Sequence, residues 1–293
     1  ASTNVSAVLE NENQDGTQQS AAAEYISIEG NKASGAVVTA GLKFVSLYNG
    51  TYVRSVRIIN CSGTGAHFRG ATAASGPYFM QDLVVLNSGL DNILVQHTFT
   101  GLRMCDISSE GPGTGYACLR LQSDPTSVGR VIFGALLENI YVENIVFDNT
   151  SYGIVLDGTQ QCTVLNFGAV TIGTTNFSAL LRIQKTGLTS PYDNRIINLW
   201  QSGTQTNIID DNYSGVSFTD ARSSTVSFYE SPQIVSTDGP GYVFGSQMAR
   251  KGPNQASTTS LTLSRIANLY EVTGTNVITT IPLGTYDTGR LVT

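Results

Sequence analysis

Residues 56–70 read VRIINCSGTGAHFRG, and their pattern decides the fold. Apolar residues alternate through Val56 and Ile58 and stop at Asn60. A glycine-containing corner follows, then a second alternation through Ala66 and Phe68. Period-two alternation marks a strand with one buried face. A hairpin arm would normally be longer and would end in a two-residue turn. The fold must therefore want a short strand, an asparagine, a corner and another short strand.

The same form, apolar-x-apolar-x-Asn, returns as Leu83-x-Val85-x-Asn87, Ile140-x-Val142-x-Asn144 and Cys162-x-Val164-x-Asn166. Leu102-x-Met104-x-Asp106 carries Asp in place of Asn, Val226-x-Phe228-x-Glu230 is a degenerate copy, and Ile196 before Asn198 is a weaker one. A second alternation follows each of the first six: GAHFRG (65–70), NILVQ (92–96), YACLRLQ (116–122), GIVLDG (153–158), SALLRIQ (178–184) and NIIDD (207–211). Linked alternations repeating in one order are the mark of a solenoid, whose single coil cannot bury its apolar face alone. Stacking sets coils about 4.8 Å apart in parallel sheets. Asn at a corner tolerates left-handed backbone and can bond the Asn above and below. We therefore expect an all-β chain, a right-handed parallel β-helix, with Asn60, Asn87, Asn144 and Asn166 in one corner ladder that Asp106 interrupts.

Composition agrees. Charged residues are 13% of the 293, and 30 glycines are present. Hydroxyls and amides replace Lys and Glu on such a surface, which suits strands and turns better than solvated helices. The net charge of −6 argues against a nucleic-acid partner. No apolar run of about 18 residues exists to span a membrane. Four cysteines without CxxC spacing, and two histidines, argue against a zinc site. Buried free thiols are the expectation for Cys61, Cys105, Cys118 and Cys162. No metal or other cofactor is expected.

Residues 1–20 read as a polar segment continuing an upstream coil, 21–235 as the β-helix, 236–256 as a Gly/Pro-containing linker and 257–293 as a small C-terminal β module. In the module, LYEVTGTNVITTI suggests two strands joined at Gly274-Thr275. The chain opens without Met and stops within a strand, so continuation at both ends is expected. Longer corner loops are expected at 69–78, 108–115, 122–130 and 185–195.

The repeats, and the stretch YISIEGNKASG…AGLKFVSLYNGTYVRSVRIINCSGTG (25–65), resemble the pectate-lyase-like β-helix superfamily, most closely its phage tailspike and tail-fibre members. The C-terminal β module strengthens that likeness. The resemblance implies a viral, virion-attached or extracellular adhesin that binds, and in some members depolymerises, a host surface polysaccharide. It also implies a homotrimer in contact with other tail proteins. A polysaccharide lyase or glycoside hydrolase free of any virion is the alternative, and a purely structural fibre the third. The superfamily's Gly-His-Gly pattern is absent around His67 and His97, and Asp210-Asp211 is the one Asp pair.

The second alternations suggest one outward column, Arg69, Gln96, Arg120, Asp157, Arg182 and Asp210. A surface salt-bridge ladder is one reading of it. The other is a sugar groove with Arg69, Arg120 and Arg182 as substrate contacts. In that case Asp157 and Asp210 are candidate catalytic carboxylates, two coils or roughly 9.6 Å apart. That lies near the upper end of the roughly 6.5–9.5 Å used in inverting glycoside hydrolysis. Tyr141 and Trp200 are candidate rings for stacking on a pyranose, with core filling as the other role for Trp200.

Overall fold

The computed structural model describes residues 5–11, 20–35, 37–48, 50–71, 76–127, 129–145, 149–171, 177–191 and 194–202, and the segments 209–212, 224–228, 242–244, 255–256, 269–270, 272–273 and 291–292. The chain divides into two compact units, Ala1–Val243 and Phe244–Thr293.

The first unit is a parallel β-solenoid. Its strands in chain order are β1 (Val5–Asn11), β2 (Ala22–Glu29), β3 (Val38–Leu47), β4 (Thr51–Ile59), β5 (Thr64–Gly70), β6 (Tyr78–Leu86), β7 (Ile93–His97), β8 (Phe99–Thr100), β9 (Leu102–Glu110), β10 (Ala117–Ser123), β11 (Ile132–Phe133), β12 (Leu136–Asn144), β13 (Tyr152–Asp157), β14 (Thr163–Thr171), β15 (Ala179–Gln184), β16 (Arg195–Ser202), β17 (Ile209–Asn212) and β18 (Ser224–Phe228). Sheet A stacks β1, β3, β5, β7, β10, β13, β15 and β17 in that order. Sheet B stacks β2, β4, β6, β9, β12, β14, β16, β18 and a last short strand, Tyr242–Phe244. All six second alternations read from the sequence are sheet A strands. β8 and β11 add a short third face in the middle coils.

Inward positions repeat from coil to coil. In sheet B, Val53, Met80, Met104 and Leu137 form one column and Val56, Leu83, Ile107 and Ile140 another. In sheet A, Leu42, Ala66, Ile93, Leu119, Ile154 and Leu181 stack, beside Phe44, Phe68, Val95, Leu121, Leu156 and Ile183. All of these are buried. A buried Leu, Ile or Phe contributes roughly 1.5–3 kcal/mol over its exposed state, but only when the next coil covers it. Cys61, Cys118 and Cys162 are buried free thiols in this interior, and Cys105 is a half-buried free thiol outside it.

Sheet B contains a feature the asparagine pattern obscured. Six of its strands, β2, β4, β6, β9, β12 and β14, are each two extended halves joined by one left-handed residue: Tyr25, Ser55, Asp82, Asp106, Asn139 and Asn166, with φ between 51° and 56°. These six stand in register as one column. A single residue of this conformation bends a strand without breaking its ladder. The repeat unit is therefore apolar-x-apolar-x-(left-handed)-apolar-x-apolar-x-corner, as in Tyr78-x-Met80-x-Asp82-Leu83-x-Val85-x-Asn87.

The single corner ladder expected for Asn60, Asn87, Asn144 and Asn166 is accordingly corrected. Asn60 and Asn87 do stack at the corner, with φ of 56° and 57°, and Asn87 Nδ2 donates to Asn60 Oδ1 over 2.7 Å. Gly111 takes the next place, and Asn144 follows it as the last residue of β12. Asp106 and Asn166 belong to the mid-strand column. There, Asn139 Nδ2 donates to Asp106 Oδ1 (3.0 Å) and Asn166 Nδ2 donates to Asn139 Oδ1 (3.1 Å). The physical reason is that two places in each coil need left-handed backbone, and Asn satisfies both.

In the second unit the described strands are Gln255–Ala256, Leu269–Tyr270, Val272–Thr273 and Leu291–Val292. Gln255–Ala256 pairs with Val272–Thr273 and Leu269–Tyr270 with Leu291–Val292, both in parallel. The expected turn at Gly274-Thr275 lies outside the described residues, as does most of the 236–256 linker.

Candidate functional site

The outward column predicted for sheet A splits into two. Lys43, His67, Leu94, Arg120, Val155, Arg182 and Asp210 share one line. Arg69, Gln96, Gln122, Asp157, Gln184 and Asn212 share the next. Asp157 thus stands between Gln122 and Gln184 rather than between Arg120 and Arg182, and Asp157 and Asp210 lie in different columns. Each strand offers two outward positions flanking its inward residues. Alternation fixes the face of a side chain but leaves a two-residue slip open.

The arginines of this face are largely engaged. Arg120 Nε donates to Asp91 Oδ2 (2.9 Å), whose other oxygen accepts the Ala117 amide (2.7 Å). The Arg182 guanidinium lies 4.7 Å from the Tyr152 ring centroid and donates to its hydroxyl. Arg69 remains exposed.

Asp157 is only 2% exposed and ends a directed ladder. His67 Nε2 bonds Gln96 Oε1 (2.9 Å), Gln96 Nε2 donates to Gln122 Oε1 (2.6 Å) and Gln122 Nε2 donates to Asp157 Oδ2 (3.2 Å). From the far side Gln184 Nε2 donates to the same oxygen (2.9 Å). The Thr186 hydroxyl donates there too, and the Thr186 amide donates to Oδ1 (2.9 Å). Because Gln96 spends its amide nitrogen on Gln122, only its oxygen faces His67, so His67 carries its proton on Nε2. Burial pushes the His67 imidazole below its ordinary value, with Lys43 and Arg69 adding to that and the Gln96 bond opposing it.

A third cluster lies where β7 ends. His97, with φ of 85°, places Nε2 2.9 Å from Asp124 Oδ2, which also accepts Arg130 Nη1 at 3.2 Å. The Thr126 amide and hydroxyl donate to Asp124 Oδ1 at 2.9 and 2.7 Å. Burial alone would raise the Asp124 carboxyl, but Thr126, His97 and Arg130 together hold it below its ordinary value. Ser123 is in register with His97, yet its hydroxyl donates to Gly158 O and accepts the Ile132 amide, both at 2.9 Å. With that proton committed and the side chain buried, the three residues are not a nucleophilic triad.

Sheet B presents a different surface. Ser108, Tyr141, Gly168 and Trp200 are in register in successive strands, and Ser108 and Tyr141 project outward. The two aromatic residues named from the sequence therefore share a line, two strand spacings or roughly 9.6 Å apart. Gly168 between them contributes no side chain. Beside this line, Glu110 and Glu143 face each other in register across adjacent strands. The Tyr141 hydroxyl donates to Glu143 Oε2 (2.6 Å) and Ser108 Oγ donates to Glu110 Oε1 (3.2 Å). Burial first, and then the Glu143 charge, push the Glu110 carboxyl above its ordinary range, with the Ser108 bond opposing. Burial, then the bond to Glu143, likewise push the Tyr141 phenol up. A carboxyl pushed above its ordinary range beside a second carboxyl that accepts a phenol hydrogen bond is an arrangement acid–base chemistry can use.

A raised carboxyl has a sign that equilibrium unfolding can read. Between its ordinary value and its folded value, Glu110 binds more protons in the folded state than in the unfolded one. Its contribution to stability is complete below the ordinary glutamate range and is lost as pH rises through the folded value. Glu110→Gln is expected to remove that dependence and to raise stability at pH 7 relative to wild type, measured by urea unfolding at pH 4 and pH 7. An unchanged pH profile would count against the assignment.

Glu110 and Glu143 were not singled out in the sequence, although both directly precede the corner position, Gly111 and Asn144 respectively. Aligning the copies on their corners would have paired them. Among the described residues no group of three or more His, Cys, Asp or Glu is placed to hold a metal ion. Comparison of the chain with family models, curated proteins and solved structures finds no match.

Proposed function

We propose that this solenoid binds a surface polysaccharide along the outer face of sheet B. The observation that carries the reading is Tyr141 beside the Glu110–Glu143 pair, next to the side-chain-free place at Gly168. An aromatic ring next to a side-chain-free place suits the apolar face of a sugar ring, and neighbouring carboxyls suit its hydroxyls. A Ser-, Thr- and Asn-rich surface with 13% charged residues fits a chain that works against a hydroxylated polymer. The reading extends to a tailspike-like adhesin with a right-handed solenoid, since parallel crossovers are right-handed in nearly all cases. It places the protein outside the cell or on a virion, as a homotrimer among tail proteins. Light scattering that returns a monomer would remove the trimer.

The test is binding of the full chain to a panel of capsular and lipopolysaccharide preparations. Tyr141→Ala is expected to weaken binding about tenfold, the loss of one good contact. Equal binding by the variant, or no binding to any preparation, would sink the proposal. The Glu pair favours cleavage as a second reading. Adjacent strands separate the two residues by about 4.8 Å at the backbone, which suits the roughly 5–5.5 Å between carboxyls in retaining hydrolysis. Reducing ends that appear with wild type and vanish with Glu143→Gln would support it. Binding without their release would confine the protein to adhesion.

A further inference from the structure

We infer that the Tyr141 hydroxyl is the positioning group of the Glu110–Glu143 pair, and that it sets Glu143 as the nucleophile and Glu110 as the acid. The inference rests on the cleavage reading above and adds the roles within the pair.

Four residues build the arrangement, two on each of two adjacent strands. Ser108 and Glu110 stand two apart on β9, and Tyr141 and Glu143 two apart on β12, so all four share the outer face. Ser108 is in register with Tyr141, and Glu110 with Glu143. Each hydroxyl donates along its own strand, Tyr141 to Glu143 Oε2 over 2.6 Å and Ser108 to Glu110 Oε1 over 3.2 Å. Among the described residues nothing else bonds either carboxyl group. Each acid therefore has one oxygen held and one oxygen free. That is how a reacting atom is aimed without being used up.

The two halves are not equivalent. A phenol is a stronger acid than the hydroxyl of serine, and its bond here is the shorter one. A hydrogen bond donated to a carboxyl favours its charged form. Of the two acids, Glu143 is the better placed to carry negative charge. The surroundings leave that difference undisturbed. The flanking outward positions are Val84 and Leu86 on β6, and Gly168 and Val170 on β14. None of them is charged. On β9 and β12 the other charged groups are Arg103, Asp106 and Glu138, which stand at or before the mid-strand bend.

In the first step Glu110 gives its proton to the glycosidic oxygen while Glu143 Oε1 attacks the anomeric carbon. The carbon–oxygen bond breaks with its electron pair on the leaving oxygen, and a glycosyl ester forms on Glu143. Water then adds to the same carbon, returns a proton to Glu110 and releases Glu143 as a carboxylate. The Tyr141 hydroxyl takes no part in these transfers. Burial and the Glu143 bond push its phenol up, so it keeps its proton and holds Oε2.

Tyr141→Phe keeps the ring and removes the hydroxyl. The full chain is tested on the capsular and lipopolysaccharide preparations used for binding. Tyr141→Phe is expected to bind as wild type does and to release reducing ends about tenfold more slowly, the loss of one charge-assisted hydrogen bond. The acid limb of its pH–rate profile, which reports the unprotonated partner, should move to higher pH. Ser108→Ala should move the alkaline limb to higher pH instead, because the Ser108 bond opposes the upward push on Glu110. Without any sugar, Glu143→Gln should bring the Tyr141 phenol down towards its ordinary value, read by ultraviolet absorbance as tyrosine ionises. An unmoved phenol would overturn the inference, as would an unchanged rate and profile in Tyr141→Phe. Movement of the opposite limbs would overturn the assigned roles. Binding lost together with cleavage in Tyr141→Phe would reduce Tyr141 to a sugar contact. A wild type that binds but releases no reducing ends would overturn this inference and leave the binding reading standing. Absence of all binding would sink both.

Discussion

Replacing Gly113 by alanine is expected to lower the solenoid's stability by about 3 kcal/mol, the upper end of ordinary overpacking. Gly63, Gly89 and Gly113 occupy one corner of successive coils. The Gly89 amide donates to Cys61 O and Gly63 O, and the Gly113 amide donates to Leu90 O. A Cβ on Gly113 would lie 1.9 Å from Gly89 O, and one on Gly89 would lie 1.9 Å from Ser62 O. The obstacle is backbone, so no rotamer change relieves it, and one coil must move off the next. Gly115 supplies the control. Its φ is +80° and nothing lies within 4 Å of a Cβ built there. Gly115→Ala therefore meets only the left-handed backbone cost, roughly 1–2 kcal/mol. Urea unfolding of the two variants side by side separates steric from conformational cost. Equal losses would show that the coils at Gly113 part more easily than the close approach implies.

The second large effect is expected at Asp157. Asp157→Ala removes the acceptor for Gln122 Nε2, Gln184 Nε2, the Thr186 hydroxyl and the Thr186 amide. Each buried donor left unpaired costs roughly 1–3 kcal/mol, although the glutamines can turn to find new partners. A net loss of about 3 kcal/mol is expected. Asp157→Asn keeps the volume but not the function. Its single oxygen can serve one side of the site, and its NH₂ then faces donors on the other. The loss should be smaller, about 1–2 kcal/mol. If Asn matched wild type, the carboxylate charge would be irrelevant to the ladder. If Ala matched wild type, the ladder would contribute nothing.

The coils were legible in the sequence because apolar residues recur at fixed distances from a corner, and that is what a solenoid requires. The six second alternations became β5, β7, β10, β13, β15 and β17. The mid-strand bend was not legible. Its backbone is the same at Tyr25, Ser55, Asp82 and Asn139, but four different side chains occupy it, so no residue type announces it. Asn166 and Asn60 look alike in sequence for the same reason, since each supplies a left-handed residue after an alternation. Arg120 and Arg182 were placed beside Asp157 because Leu119 and Leu121 are both inward, and either could set the count. Tyr141 and Trp200 share a column because each stands two residues past an asparagine, Asn139 and Asn198 respectively, that falls opposite Asn166 in the register.

The amide ladder on sheet A has a direction, and that direction limits how the molecule can lengthen. Solenoids grow by duplicating coils, and the copy must fit both its neighbours. From His67 to Asp157 every side chain donates the same way along the axis, while Gln184 donates the opposite way. A second Gln96 or Gln122 coil would simply lengthen a one-way queue. A second Asp157 coil would set two acceptor-only carboxylates against each other with no donor between them. The Asp157 coil is therefore a boundary where two opposed polarities meet. Length can be added on either side of it, but that coil cannot be copied in tandem without a change of residue.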